Sequence, residues 1–319
     1  MKLNQLIALL LLVTCLVTAT LGIQRQTRSG DFALKNLENA SPRLELLTLE
    51  GAISGSGRAT GALVLRDRLQ EIAKEDQIKG VLLVINSPGG TVAASKELYD
   101  AVMRLRQTKP VVVSMLDQAT SGGYYVASAA TKIYANPGTL TGSIGVILSN
   151  INVKELFNRL GVEAQTYKAG AFKDILSPFR TTSESEKALV QALLQDTYLG
   201  FVSDVTKGRK LDFEEVRKLA DGRIYTGKQA KDNKLVDALG GYHEALEDLR
   251  QLARKQFNLS ATEALPIRAF SPGLGQVLVD LFRAGGSSGL QGWLMGLLQF
   301  VNLPSEFAPP VMFLPSWLS

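Results

Sequence analysis

Two uncharged apolar runs, each leading into a glycine-rich turn and then a helical pattern, constrain the fold of this chain most strongly. Gly80–Asn86 reads GVLLVIN and Pro110–Met115 reads PVVVSM, with a helical pattern at Val92–Leu105 between them. Continuous apolar runs of this length are typical of strands that are buried on both faces. Because strands that alternate with helices form βαβ units, the sequence predicts an α/β fold with a parallel core sheet and flanking helices.

The remaining elements are predicted from the same periodicities. Further strands are predicted at Leu44–Leu49, Lys132–Ala135 and Ile144–Leu148. Further helices are predicted at Leu63–Lys74, Tyr124–Ala130, 184–208, 212–220, 227–237 and 241–256. No clean internal repeat accompanies them, which is consistent with a single domain.

The amino terminus carries an uncharged segment at residues 6–23, LIALLLLVTCLVTATLGI. At ~1.5 Å per residue it reaches roughly 27 Å, just enough to cross the hydrocarbon core of a bilayer. We therefore predict a single uncleaved span followed by a polar linker to residue 41. A cleavable signal is the alternative, although its apolar part is usually shorter, about 7–15 residues. Lys2 on one side and Arg25 and Arg28 on the other barely discriminate the orientation.

Composition excludes several classes of protein. With 45% hydrophobic and 20% charged residues, the chain is neither disordered nor a multi-span membrane protein. A net charge of +5 without a basic cluster gives no reason to expect a nucleic-acid partner. The only cysteine is Cys15 and the only histidine is His243. Internal disulfides, zinc or iron–sulfur sites built on cysteines, and multi-histidine metal sites are thereby excluded.

The carboxyl-terminal part of the chain has a different character. From Ala264 onward the only charged residues are Arg268, Asp280, Arg283 and Glu306. Its apolar stretch at 289–302 is too short to span a membrane. An apolar segment of this size favours packing against the domain or at a subunit interface. Contact with a membrane surface and insertion into a neighbour's groove are the alternatives.

Two turns at the carboxyl ends of the predicted strands could carry chemistry. Ligands of open α/β sheets bind at this edge. In Asn86-Ser-Pro-Gly-Gly90, the glycines allow close approach of a ligand and present bare N–H groups. In Thr120-Ser-Gly-Gly-Tyr124, Ser121 suits either a helix N-cap or a nucleophile with the Gly122 N–H as oxyanion donor. A tight turn without chemistry is the alternative for the first motif, and both readings of Ser121 stay open.

A serine nucleophile needs a base, and the sequence offers few. His243 lies in a Gly-Gly-Tyr-His helix start and is interpreted as a surface or capping residue. The remaining option is a lysine, as in Ser–Lys pairs. Lys173 has apolar Phe172 and Ile175 beside it, but a solvated surface charge is the alternative for any lysine. Asp174 adjoins it, and a close carboxylate would stabilise the charged amine unless it points elsewhere.

Six motifs occur in an order that resembles a known family, the short form of signal peptide peptidase A. Its members are Ser–Lys peptidases on a Clp-protease/crotonase-like fold, and they carry a membrane-spanning start. The resemblance covers residues 43 to about 255 and rests on Asn86-Ser-Pro-Gly-Gly90, Thr120-Ser-Gly-Gly-Tyr-Tyr125, Leu140-Thr-Gly-Ser-Ile-Gly145, Gly170-Ala-Phe-Lys-Asp174, Gly222-Arg-Ile-Tyr-Thr-Gly227 and Leu235-Val-Asp-Ala-Leu-Gly-Gly241. Any one of these motifs is weak, and their combination in order is specific.

The resemblance implies a role for individual residues. Ser121 would be the nucleophile, Lys173 the general base and Ser143 the residue that orients the lysine. The backbone N–H groups of Gly90 and Gly122 would stabilise the oxyanion. The stretch that begins Ile144, Gly145, Val146 would line the substrate groove.

The resemblance also implies an organisation and a substrate class. Residues 1–41 would form the anchor or signal and its linker, 42–260 the peptidase domain, and 261–319 a tail for packing or assembly. The catalytic domain is expected on the extracytoplasmic face of the membrane. The expected substrates are cleaved signal peptides or other apolar peptides, without a cofactor. The family assembles as homo-oligomeric rings, so the dyad could be completed across a protomer boundary.

Two other functions are compatible with this fold. A crotonase-type acyl-CoA enzyme shares the oxyanion hole, but it would need a carboxylate acid/base and has no reason for a membrane anchor. A non-catalytic membrane scaffold would not need both Ser121 and Lys173.

Overall fold

The computed structural model describes residues 41–55 and 61–270. The predicted span at 6–23, its linker and most of the predicted apolar tail lie outside the described residues. None of the helices within these two ranges is both long and apolar enough to cross a membrane.

Eight strands and eight helices make up the described part of the chain. The strands are β1 (Arg43–Glu50), β2 (Ile78–Ser87), β3 (Val111–Thr120), β4 (Lys132–Ala135), β5 (Leu140–Gly142), β6 (Ile224–Thr226), β7 (Ala238–Leu239) and β8 (Ile267–Ala269). The helices are α1 (Ala62–Ile72), α2 (Val92–Leu105), α3 (Gly122–Ser128), α4 (Lys154–Arg159), α5 (Glu184–Arg209), α6 (Phe213–Leu219), α7 (Gly227–Asp232) and α8 (Tyr242–Phe257).

The strands form one mostly parallel sheet in the order β6-β5-β3-β2-β1-β8. Strand β3 is long enough to pair with two strands on the same side, with β4 along its first half and with β5 at its carboxyl end. Strand β7 adds to β4, and the β5–β6 pair is antiparallel. The predicted α/β fold with a parallel core sheet is confirmed.

Helices cover both faces of the sheet, which explains the uninterrupted apolar runs. Leu83 and Ile85 of β2 belong to the larger core, to which α1, α2, α3 and α5 contribute. Leu82 and Val84 belong to the smaller core, beneath α8. A strand that is covered on both faces has no position for a polar residue to reach solvent.

Two predictions about the elements need correction. The prediction of a strand at Ile144–Leu148 is wrong, because β5 ends at Gly142 and the following residues to Val153 form no strand. The side chain of Ile147 is 90% exposed, so nothing there covers the face of a strand. The predicted helix at 227–237 ends at Asp232. Strand β8, which pairs with β1, lies in the part of the chain assigned to the tail at 261–319. The division of the chain into anchor, peptidase domain and tail stays a prediction.

Candidate active site

Ser121 occupies a strained turn between β3 and α3. Its backbone angles are φ 52° and ψ −118°, a conformation that costs a residue other than glycine roughly 1–3 kcal/mol. The turn is held because Ser121 N–H donates to Gly142 O at 2.8 Å and Ser121 O accepts from Tyr125 N–H at 2.9 Å. The Ser121 hydroxyl makes no capping hydrogen bond. Ser121 therefore occupies the N-cap position of α3 without capping the helix through its side chain. A strain of this kind is typical of a nucleophile that is presented to a cleft.

The Gly89–Gly90 turn packs directly against Ser121 and Gly122. Gly89 has a φ of +98°, and a Cβ there would lie 2.7 Å from Gly122 N and 2.8 Å from Ser121 Cβ. A Cβ on Gly90 would lie 1.9 Å from Ile53 O. Only glycines allow this approach. The N–H groups of Gly90 and Gly122 have no hydrogen-bond acceptor among the described residues, and both glycines line a cleft with Ser121.

This first cleft is small. Its volume is about 20 Å³, enough for a group about the size of one water molecule. Tyr125 and Phe201 form part of its wall, with ring centroids 4.2 Å apart in a stacked arrangement. The Tyr125 hydroxyl donates to Asp204 Oδ2 at 2.7 Å. Burial, together with the hydrogen bond to Asp204, raises the pKa of Tyr125, so this hydroxyl stays protonated.

A larger cleft of about 630 Å³ opens on the other side of Ser121. Ser143 lines it together with Ser121 and has a left-handed backbone at φ 51°. The role of Ser143 in orienting the lysine stays a prediction. The Ser143 N–H donates to Arg223 O at 2.8 Å. Gly145 and Val146 line both clefts, whereas the side chain of Ile144 is buried in the core.

One wall of the larger cleft was not predicted from the sequence. Helix α5 contributes four side chains to it, those of Gln191, Leu194, Gln195 and Tyr198. Their spacing is that of residues on one face of a helix. The periodicity was therefore visible in the sequence, but nothing in it indicated that this face meets Ser121 rather than solvent.

Lys173 lies on an exposed segment between α4 and α5, and it is not among the residues that line either cleft. The structure thus brings Ser121, Ser143, Gly90 and Gly122 together around the two clefts of one protomer. It does not place Lys173 beside them. The role of Lys173 as base stays a prediction. His243 is exposed in the first turn of α8, consistent with a surface residue.

The neighbouring Asp174 belongs to an ion-pair cluster. Its carboxylate accepts from Arg180 Nε at 2.7 Å and from Lys168 Nζ at 2.5 Å. The hydrogen bonds from Arg180 and then Lys168 hold the pKa of Asp174 well below its usual range. The side chain is therefore a fully charged carboxylate whose partners are other than Lys173.

A serine on a strained strand-to-helix turn, with two backbone N–H groups beside it at the carboxyl edge of a parallel sheet, is typical of an α/β serine hydrolase. The comparisons with known proteins define the class further. Residues 103–256 match the model of peptidase family S49, and residues 57–139 match that of the Clp proteases.

The relatives agree with these models. An Enterococcus faecium protein named as a signal peptide peptidase SppA is 37% identical over 235 residues, 70% of this chain and 68% of that protein. A Synechocystis protein named as a protease is 40% identical over 211 residues, 66% of this chain and 73% of that protein. The chain belongs to peptidase family S49, the signal peptide peptidase SppA family, and is a serine peptidase on a ClpP/crotonase-like fold.

In longer relatives, the matched region is only part of the protein. The chloroplastic serine protease SPPA of Arabidopsis thaliana is 32% identical over 258 residues, which are 80% of this chain but 37% of that protein.

Membership of a serine peptidase family argues against the crotonase-type acyl-CoA enzyme as an alternative.

Proposed function

We propose that this chain is a membrane-anchored Ser–Lys endopeptidase that degrades signal peptides, or other apolar peptides, after their release from preproteins. The observation that carries the proposal is the strained turn at Ser121, which lies beside the N–H groups of Gly90 and Gly122 and opens onto two clefts. The names of the relatives support the substrate class. Residues 6–23 would provide the single span, with the catalytic domain on the extracytoplasmic face.

The reaction proceeds in two steps. The Ser121 oxygen attacks the carbonyl carbon of the scissile peptide bond while the neutral amine of Lys173 accepts the hydroxyl proton. The N–H groups of Gly90 and Gly122 hydrogen-bond the oxyanion, and the leaving amine takes the proton back from Lys173. Water that the same lysine deprotonates then releases the acyl group and regenerates Ser121. Ser143 positions the amine, because a hydroxyl is a partner that does not stabilise its charged form by ion pairing.

The lysine would come from a neighbouring protomer of a homo-oligomeric ring. Support comes from the exposure of Lys173 between α4 and α5 and from exposed apolar side chains on both sides of α4. These include Ile151 at 76%, before the helix, and Leu160 at 65% and Tyr167 at 92%, after it. Apolar surface of this extent on one segment is unusual for a monomer. Contact with the next protomer would bury it and withdraw Lys173 from solvent, and desolvation favours the neutral amine that a base requires.

The larger cleft fits an extended peptide. One part of its lining is the stretch of chain that follows β5. Leu194 and Tyr198 of α5 form another part and offer apolar contacts. The two glutamines of the same wall, Gln191 and Gln195, can hydrogen-bond peptide groups without discriminating between side chains. Such a wall suits apolar peptides of varied sequence.

The test follows hydrolysis of an apolar fluorogenic peptide by the full-length chain in detergent, for the wild type, Ser121→Ala, Lys173→Ala and Lys187→Ala. Lys187 is the control, since it is an exposed lysine at the start of α5 whose ammonium pairs with Glu184 at 2.7 Å. We expect Ser121→Ala and Lys173→Ala each to lower kcat about a thousandfold or more, and Lys187→Ala to keep the wild-type rate.

Two results would contradict the proposal. Full activity of Lys173→Ala would remove the lysine from the chemistry. A folded, assembled wild-type protein that cleaves no peptide at any pH would favour the non-catalytic scaffold instead.

A further inference from the structure

Asp174 presents a difficulty for a lysine base. It directly follows Lys173, and a carboxylate within a few ångströms of an amine stabilises the ammonium form. A base in that form cannot accept the proton of Ser121. The contacts of Asp174 show which groups bind its carboxylate and offset its charge.

Arg180 engages both oxygens of the Asp174 carboxylate. Its Nε donates to Oδ2 at 2.7 Å, and its Nη2 donates to Oδ1 at 2.7 Å. The same Nη2 donates to the Asp174 backbone oxygen at 3.0 Å, which fixes the main chain beside Lys173. Lys168 adds a second cation at 2.5 Å from Oδ1. A forked guanidinium–carboxylate pair of this kind fixes the direction of the side chain as well as its charge.

The same guanidinium is anchored to the start of α5. Arg180 Nη1 donates to Glu186 Oε2 at 2.9 Å, and Nη2 donates to Glu186 Oε1 at 2.5 Å. Glu186 Oε2 also accepts from the Ser183 N–H at 2.8 Å, as part of the capping box of α5. The hydrogen bonds from Arg180 and then Ser183 lower the pKa of Glu186 to about 2. Hydrogen bonds therefore connect the amino-terminal turn of α5, through Glu186 and Arg180, to Asp174, the residue next to Lys173.

The charges of this cluster balance. Lys168, Asp174 and Arg180 lie on the segment that carries Lys173, and Glu186 comes from α5, so two cations face two anions. At the same end of α5, Glu184 and Lys187 pair with each other. Helix α4, which packs on this segment through the rings of Phe157 and Phe179, carries Lys154, Glu155 and Arg159.

We propose that Arg180 is a positioning residue for the Lys173 base: it binds Asp174, holds that carboxylate away from the lysine, and cancels its charge. The inference rests on the proposed function, in which Lys173 accepts the proton of Ser121. Loss of the Arg180 charge would leave Lys168 as the remaining cation of the cluster against two carboxylates, Asp174 and Glu186, and so a net negative charge beside Lys173. The lysine would then keep its proton to higher pH, and the rate of peptide cleavage would rise at higher pH than in the wild type.

The test measures kcat/KM against pH for the full-length chain in detergent, with the wild type, Arg180→Gln, Asp174→Asn and the double variant. For Arg180→Gln we expect the midpoint of the rising limb to move up by roughly half a unit to one unit, a modest shift because the cluster lies near solvent. For Asp174→Asn, which leaves an excess cation, we expect a move to lower pH. The double variant restores the balance of charge, and its midpoint returns to that of the wild type.

Further variants separate positioning from a structural role. Arg180→Lys keeps the charge and should keep a midpoint near that of the wild type, even if kcat falls because the fork is lost. Arg217→Gln removes an exposed arginine from α6, where it pairs with Glu214 at 2.7 Å, and serves as the matched control, with an unchanged midpoint. If Arg180→Gln proves too unstable to assay, Asp174→Asn still tests the proposal, because an unchanged midpoint in that variant overturns it.

Other outcomes are equally decisive. A uniform fall in kcat/KM at every pH, with the midpoint unmoved, would make Arg180 a structural residue only and overturn the proposal. A double variant that stays at the midpoint of Arg180→Gln would overturn it too, since Asp174 would then not be the source of the shift. Wild-type activity in Lys173→Ala would instead overturn the proposed base itself, and that variant is assayed in parallel.

Discussion

At the scale of single residues, the site depends on backbone conformation as much as on side chains. Ser121 adopts angles that glycine tolerates far better than serine, yet the chemistry requires a hydroxyl there. The strain is held by the pairing of the turn with Gly142 and by the close packing of Gly89. The serine is thus presented to the cleft at a cost in stability that the surrounding fold must offset.

This strain can be measured by comparing two inactive variants. Both Ser121→Ala and Ser121→Gly lack the nucleophile, but only glycine relieves the unfavourable backbone angles. We expect Ser121→Gly to be more stable than Ser121→Ala by about 1 kcal/mol, after allowing for the greater entropy of glycine in the unfolded chain. Chemical denaturation of the two variants under identical conditions gives the difference. Equal stabilities would show that Ser121 is not strained.

The sequence was most informative about residues whose role is local. Ser121, Gly122 and Gly90 became candidates because glycine-rich turns follow buried strands, and the family resemblance then implied their roles. The placement of Lys173 could not be predicted in the same way, because it depends on how a long exposed segment meets the rest of the assembly. The role of Arg180 was also missed, since its partners Asp174 and Glu186 lie six residues away on either side, a spacing that matches neither helix nor strand periodicity.

At the scale of elements, strands of four residues or more were predictable and those of two or three residues were not. β2 and β3 are buried on both faces, which leaves a continuous apolar run in the sequence. β6, β7 and β8 have two or three residues each, and they are strands only because a distant strand pairs with them. Conversely, Ile144–Leu148 has the composition of a strand, but none of the described strands pairs with it. Pairing partners are non-local, so composition alone could not decide these cases.

Helix α5 offers a test of how tightly one element packs on another. A Cβ on Gly208 would lie 2.2 Å from Ser128 O at the end of α3, whereas Gly200 in the same helix has no atom within 4 Å of that position. Alanine in a helix is normally favoured over glycine by about 1 kcal/mol. We expect Gly200→Ala to stabilise the protein by roughly that amount, and Gly208→Ala to destabilise it by about 1–3 kcal/mol because the helices must separate.

Denaturation midpoints of the two variants check this contrast within a single helix. The activity of Gly208→Ala should fall as well, because α3 begins directly after Ser121 and α5 forms a wall of the cleft. A Gly208→Ala variant as stable as Gly200→Ala would contradict the close packing of α3 on α5.

At the scale of the whole molecule, the described protomer does not bring the two members of the proposed dyad together. The serine and the oxyanion donors lie on the sheet edge, while Lys173 lies on an exposed segment rich in exposed apolar residues. Both observations have one explanation if this segment packs on a neighbouring copy. A heterologous contact of this kind closes into a ring when its rotation divides a full turn. Assembly would then bury apolar surface and complete the dyad in the same step.

Mixed rings test this explanation directly. Ser121→Ala and Lys173→Ala are each expected to be inactive, but a ring that contains both places intact Ser121 protomers beside intact Lys173 protomers. Co-expression in equal amounts with different affinity tags, followed by purification through both tags, should recover about a quarter of the wild-type activity per protomer, as random arrangement around a ring requires. A dyad within one protomer predicts no recovery, because every protomer then lacks one of its two groups. Wild-type chains purified through the same two tags give the reference rate, and activity no greater than that of the separate variants would place Lys173 and Ser121 in the same protomer.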